Sequence, residues 1–262
     1  MQVSSAGTRI FYAVEGNGAP LVLLHPYPGN HKFWRPLAPV LNERYRLIMP
    51  DLRCHGASET GVAEATMELH AADLENICRA EGIQQAVFAG VSIGGYILFE
   101  FWRRYRQRVR ALVLCDTRAQ ADTAEARVMR ERSAAEVEKK GADEYLDGML
   151  PRLIGESTRR NRPDVAKQAR EMMGEMSVAG IAACLRGMAA RSDSTATLNT
   201  IDVPALILVG EEDTLTPPAE AQFMQQRIRG SRWARIPAAG HWAPFEQAEA
   251  VAPIMRSFLD QL

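Results

Sequence analysis

The chain has 262 residues, 47% of them hydrophobic and 24% charged, with a formal net charge of −1. That composition builds a folded unit with a substantial core and excludes a low-complexity or disordered chain. The balanced charge offers no chain-wide attraction to nucleic acid or to an anionic membrane surface, and neither is expected as a partner. Cys54, Cys78, Cys115 and Cys184 show no C-x-x-C spacing, and Cys78 and Cys115 fall inside apolar patterns. Buried free thiols are therefore expected, with no disulfide and no metal site. The first residues lack a basic region followed by an apolar core, and no apolar run approaches ~18 residues. The expectation is a chain without a secretory signal or membrane span, located in the reducing cytoplasm.

In chain order, residues 1–24 read as a hairpin followed by a buried strand. Ile10 to Val14 is β-rich, Glu15-Gly16-Asn17-Gly18 carries turn chemistry, and Leu21-Val22-Leu23-Leu24 is wholly apolar. His25-Pro26-Tyr27-Pro28-Gly29-Asn30 is too rich in Pro and Gly to continue a sheet, and a helix is expected from Phe33 to Leu41. Arg46 to Pro50 supplies a strand that closes into Asp51-Leu52-Arg53-Cys54-His55-Gly56-Ala57-Ser58, and a helix follows over Thr66 to Ala80. Ala86 to Ala89 is another buried strand, and Leu98, Phe101, Trp102 and Tyr105 then recur at i, i+3, i+4 and i+7, the stripe of a helix. Val109 to Cys115 adds one more strand.

This alternation of strands and helices predicts a parallel sheet covered on both faces. From residue 118 to 199 it stops, leaving helical, charge-rich sequence in which Ile181, Cys184, Leu185 and Met188 mark one helix face. It resumes with a strand at Ala205 to Val209, a helix over Ala219 to Ile228, a short strand at Arg232 to Ile236 and a last helix over Glu246 to Leu259. The expected organisation is a core of residues 1–117 and 200–262 interrupted by a helical cap over 118–199.

Between the strand at 86–89 and the helix after it lies Gly90-Val91-Ser92-Ile93-Gly94-Gly95. A G-x-S-x-G pentad at a strand-to-helix turn is so sharp that only small residues fit beside the serine, whose hydroxyl is held out. The turn also sets the Ile93 amide at a helix N-terminus, where it can donate to developing negative charge. A serine hydroxyl is a weak nucleophile and needs a base, and the base needs an orienting acid. Of five histidines, His241 directly follows the last strand, at the sheet edge where reactive groups gather in α/β folds. Asp213, just past the strand at 205–209, is the candidate acid, with Asp116 as the rival at an earlier strand end. The order Ser92, Asp213, His241 matches one arrangement of the serine triad. His25 is read as a structural hydrogen-bonder, Asp51 as the residue holding its own turn, and the arginines at 103–110 and 159–162 as solvated surface.

Taken together these motifs resemble the α/β-hydrolase superfamily along nearly the whole chain. His25-Pro26-Tyr27-Pro28 is similar to its H-G-x-P loop, residues 51–58 to its D-x-R-G-x-G-x-S turn, and residues 90–95 to its nucleophile elbow. Gly210 to Pro217 resembles the acid loop, and Gly240-His241 the histidine loop. The resemblance is strongest to 3-oxoadipate enol-lactonases and to non-haem haloperoxidases and carboxylesterases. It implies an α/β-hydrolase fold, a mostly parallel doubly wound sheet with a helical lid. The implied activity is a serine hydrolase cleaving a small or medium carboxylic ester or lactone through an acyl-enzyme, without a cofactor. The oxyanion hole is then made by the amides of Tyr27 and Ile93.

Two positions depart from the family pattern. Pro26, which has no amide proton, replaces the usual glycine, but the resemblance gives the loop's oxyanion donor to the next residue, here Tyr27, and Cys54 stands where a glycine is usual, consistent with a φ below zero there. Tyr27, Trp34 and Trp242 are candidates to line the pocket, as are Met149, Met172, Met173, Met176 and Met188, for each of which packing within the cap is the alternative. Arg118 is read as an exposed surface arginine, or, for a substrate that carries a carboxylate, as its partner. Perhydrolysis on the same triad and a hydrolase-fold small-molecule sensor are the competing activities. The only expected partner is a small acyl substrate, the chain itself being a monomer or homodimer.

Overall fold

The computed structural model describes residues 1–61 and 64–262. The chain runs through β1 (Gln2–Ser5), β2 (Thr8–Glu15), β3 (Ala19–Leu24), a 3-10 turn (His31–Trp34), α1 (Ala38–Leu41), β4 (Tyr45–Pro50), α2 (Met67–Ala80), β5 (Ala86–Val91), α3 (Ile93–Tyr105) and β6 (Val109–Cys115). Six helices follow: α4 (Ala124–Lys140), α5 (Asp143–Leu153), α6 (Glu156–Asn161), α7 (Pro163–Met173), α8 (Val178–Ala189) and α9 (Thr195–Leu198). The chain ends with β7 (Ala205–Gly210), α10 (Pro218–Gln225), β8 (Arg232–Ile236), α11 (Ala243–Glu246) and α12 (Ala248–Leu259).

The eight strands form one sheet in the order β1-β2-β4-β3-β5-β6-β7-β8. β1 and β2 form the antiparallel hairpin, β2 pairs antiparallel with β4, and every pairing from β4 to β8 is parallel. The turn at residues 15–18 therefore leads not to a neighbouring strand but across β4 to β3. Central strands are apolar on both faces because helices cover both: every residue of β5 and of β7 is buried. Leu23 and Leu24 are wholly enclosed, and burial of each such side chain contributes about 2 kcal/mol.

Side-chain caps start the helices where the sequence offers them. Thr66 accepts from the Leu69 amide, Thr123 from Ala126 and Ser177 from Gly180. The continuous helix expected over Phe33 to Leu41 does not form, because Pro36 and Pro39 lack amide protons and divide the stretch into the 3-10 turn and α1. The last helix is likewise split: the chain leaves helical geometry at Gln247, and α12 begins at Ala248 with Pro253 on its exposed side.

β3, β5, β6, β7 and β8 point their carboxyl ends to the same edge of the sheet. The segment between β6 and β7 is tied to that edge by backbone hydrogen bonds. The Trp242 amide donates to the Leu153 carbonyl at 3.1 Å, and that of Ser194 to Ala119 at 2.8 Å. Among the described residues no helix is long and apolar enough to cross a membrane.

Candidate active site

At the end of β5 the backbone of Ser92 takes φ 54° and ψ −112°, a left-handed conformation costly for a residue with a Cβ. The chain on either side leaves it no alternative. A Cβ on Gly90 would lie 2.5 Å from the Gly94 carbonyl carbon, and one on Gly94 would lie 2.8 Å from the Leu24 carbonyl oxygen. The Ser92 amide donates to Cys115 at 3.0 Å, and the Thr117 hydroxyl donates to the Ser92 carbonyl at 2.8 Å. The strained turn is thus clamped by the strand on either side, and its side chain projects from the sheet edge.

There the Ser92 Oγ lies 2.8 Å from His241 Nε2, and His241 Nδ1 lies 2.8 Å from Asp213 Oδ2. An ionised carboxylate only accepts, so Nδ1 carries the proton and Nε2 presents its lone pair to the serine O–H. Asp213 Oδ1 also accepts from the amides of Leu215 (2.8 Å) and Thr216 (2.9 Å), and Oδ2 from the Thr216 hydroxyl at 2.6 Å. Burial alone would raise its pKa, but the imidazole and these donors outweigh that and hold it at about 2.

Asp116, the rival acid, lies at the end of β6 but does not touch the imidazole. Its oxygens accept from the amides of Gly210 (2.8 Å) and Ala243 (3.2 Å), binding β7 to the segment after His241. Burial, with the nearby Asp213 charge, pushes its pKa well up. Glu246 has a similar post. Wholly buried, it accepts from Gly240 at 2.9 Å and from Gly155 at 2.8 Å, fastening the His241 loop to the α5–α6 connection. Sequence reasoning missed it, since its partners come from two distant stretches.

The Ile93 amide opens the first turn of α3 and donates to no carbonyl among the described residues, whereas those of Gly95 and Tyr96 donate to the Ser92 carbonyl. The Tyr27 amide, after β3, donates to no other group among the described residues. His25 holds that loop: Nδ1–H donates to the Pro26 carbonyl and Nε2 accepts from the Leu52 amide, each at 2.9 Å. Burial drives the His25 pKa down to about 3, so the ring is a neutral strut. Asp51 holds its own turn, accepting from the amides of His31 (2.7 Å) and Ala57 (2.8 Å). Cys54 has φ 75°, not the negative value expected of a non-glycine residue there. Its amide donates to Glu59 at 3.1 Å and its thiol to Thr60 at 3.4 Å, and these bonds keep it left-handed.

A cavity of about 480 Å³ opens onto Ser92 and His241. Tyr27, Met149 and Met188 line it, as does Arg118. Trp34 and Trp242 do not. Both are fully buried on the other side of their loops, edge-on to Phe33, because aromatic bulk beside a strand end packs inward where apolar volume is available. Tyr145 on α5, which sequence analysis did not single out, also faces the cavity and accepts from the Tyr27 hydroxyl at 3.2 Å. Among the described residues no three His, Cys, Asp or Glu side chains cluster as a metal site would need.

The family model for the alpha/beta hydrolase fold matches residues 19–248. The chain is 25% identical to 3-oxoadipate enol-lactonase 1 of Acinetobacter baylyi over 94% of its own length and 90% of that protein's. Among solved structures it superposes on a thermophilic esterase from Thermogutta terrifontis, with malate bound, at a TM-score of 0.96 and 38% identity. The match covers 100% of this chain and 98% of that one. The enol-lactonase of Burkholderia xenovorans follows at 0.92 and 26%, covering 99% and 100%.

Proposed function

This chain belongs to the alpha/beta-hydrolase family, and we propose that it cleaves carboxylic esters or lactones through an acyl-enzyme formed on Ser92. Its relatives named as esterases and enol-lactonases make it an ester hydrolase of that family. The observation that carries the finer reading is the unbroken hydrogen-bond line from Ser92 through His241 to Asp213 at the floor of a cavity.

Ser92 Oγ attacks the substrate carbonyl as His241 Nε2 removes its proton. Asp213, ionised throughout, holds the imidazole in the Nδ1–H tautomer and stabilises the imidazolium. The carbonyl oxygen, now anionic, is received by the amides of Tyr27 and Ile93, each such donor contributing roughly 10²- to 10³-fold in rate. His241 returns its proton to the leaving alcohol, and water repeats the sequence on the acyl group. Residues 118–199 act as the cap that closes the cavity, with Met149 and Met188 as its adaptable apolar wall.

Ser92→Ala tests this directly: kcat for 4-nitrophenyl acetate is expected to fall about 10⁶-fold. A variant retaining near wild-type turnover contradicts the assignment.

A further inference from the structure

The cavity wall opposite the sheet edge carries more positive charge than its own contacts use. Asp122, whose side chain is fully enclosed, accepts from three arginines: Arg118 Nη2 at 3.1 Å, Arg130 Nε at 2.5 Å and Arg191 Nη1 at 2.8 Å. Arg191 is consumed by structure. It also donates to the carbonyls of Met188 and Gln120 at 3.1 and 3.0 Å, and its guanidinium lies 4.2 Å from the Tyr96 ring centre. Arg118 and Arg130 differ, since both line the cavity that holds Ser92 and keep 29% and 23% of their side chains exposed. Arg118 Nε is buried without a partner among the described residues, and Arg130 Nη1 meets only the Met188 thioether at 3.5 Å. Arg152, from α5, lines the same cavity.

One carboxylate shared by three guanidinium groups leaves two positive charges in excess, beside a partly apolar cavity where unpaired charge is costly. Guanidinium groups with open N–H donors are suited to a carboxylate, which they grip through two parallel bonds. We propose that Arg118 and Arg130 form a subsite for a carboxylate carried by the substrate, so that the preferred substrates are anionic esters or lactones. The proposal rests on the Ser92 reading for the chemistry and adds what the rest of the substrate looks like.

The test compares half-methyl esters of succinate, glutarate and adipate with neutral methyl esters of matched length, and includes an acetyl ester whose alcohol bears the carboxylate. Wild type is expected to favour at least one anionic ester in kcat/KM by roughly 10-fold or more, and Arg130→Met to shrink that ratio roughly 10- to 100-fold. Arg130→Lys, which keeps the charge and loses the fork, is expected to fall between. Calorimetry with glutarate reads the subsite without turnover: wild type binds, and Arg118→Met and Arg130→Met bind more weakly. Equal kcat/KM for anionic and neutral esters, or glutarate binding unchanged in both variants, overturns the proposal. Loss of all ester hydrolysis with glutarate binding intact would overturn the Ser92 chemistry and leave the subsite standing. If Arg130→Met does not fold, the wild-type ratio and its decline with added salt decide the matter.

Discussion

Replacing Asp213 by Asn is the most discriminating single change to the proposed machinery, because the site dictates how the new amide must sit. Asp213 Oδ1 accepts two backbone donors, the amides of Leu215 and Thr216, so an asparagine keeps its carbonyl oxygen there. Its NH2 then occupies the position of Oδ2, against His241 Nδ1 and the Thr216 hydroxyl. An N–H facing Nδ1 forces the imidazole to accept there and to carry its proton on Nε2. In that tautomer Nε2 donates towards Ser92 and cannot take its proton. The same isosteric change in a serine-protease triad lowers kcat about 10⁴-fold, and a loss of that order is expected here. The assay is turnover of 4-nitrophenyl acetate, with 15N spectra of the labelled histidines reporting which nitrogen is protonated. An Asp213→Asn protein within 10-fold of wild type, or one whose His241 keeps the Nδ1 proton, refutes the reasoning.

Acid stability should begin to fail well above the carboxylate range. Burial lowers the pKa of His25 to about 3 and of His55 to about 4, and drives His70 well down too. These rings stay neutral in the fold but protonate in the unfolded chain below ~6.5, so stability falls from there by about 1.4 kcal/mol per pH unit for each. Asp73, Asp116 and Glu246, their values raised by burial, run the other way and offset part of this. Urea titrations between pH 7.5 and 5 should show net uptake of about one proton or more on unfolding, and a flat profile would contradict it. Asp213 adds a separate loss only as pH falls from about 3.8 towards about 2. Glu246→Gln turns an amide N–H against the backbone N–H of Gly155 or Gly240, at a cost of about 1–3 kcal/mol. Its Tm should fall by roughly 5 °C, and an unchanged melting curve would remove Glu246 from the support of the His241 loop.

What could be read in the sequence was whatever local pattern determines. The pentad, the apolar strand before it and the striped helix after it describe one turn completely, and the structure has that turn. Ser92, Asp213 and His241 each stand directly after a strand, so a parallel sheet gathers them at one edge whatever the details of packing. Strand position alone does not separate Asp213 from Asp116, since both follow strands; the likeness of Gly210 to Pro217 to the family's acid loop favours Asp213, and its carboxylate is the one that reaches the imidazole. Glu246 was invisible for a related reason, its partners being amides of distant segments, and of the arginines on Asp122 only Arg118 was singled out, Arg191 coming from far along the chain. Trp34 and Trp242 were misplaced because position beside a motif does not say to which side of a loop a side chain turns. At Cys54 a general preference of non-glycine residues lost to specific bonds with Glu59 and Thr60.

The central claim is a covalent acyl group on one hydroxyl. Rapid quenching of the reaction with 4-nitrophenyl acetate, then digestion and mass analysis, measures it directly. An acetyl group on the peptide containing Ser92, formed and lost at rates consistent with turnover, is the expected result. Steady turnover with no adduct at Ser92, or with the adduct on another residue, would contradict the account.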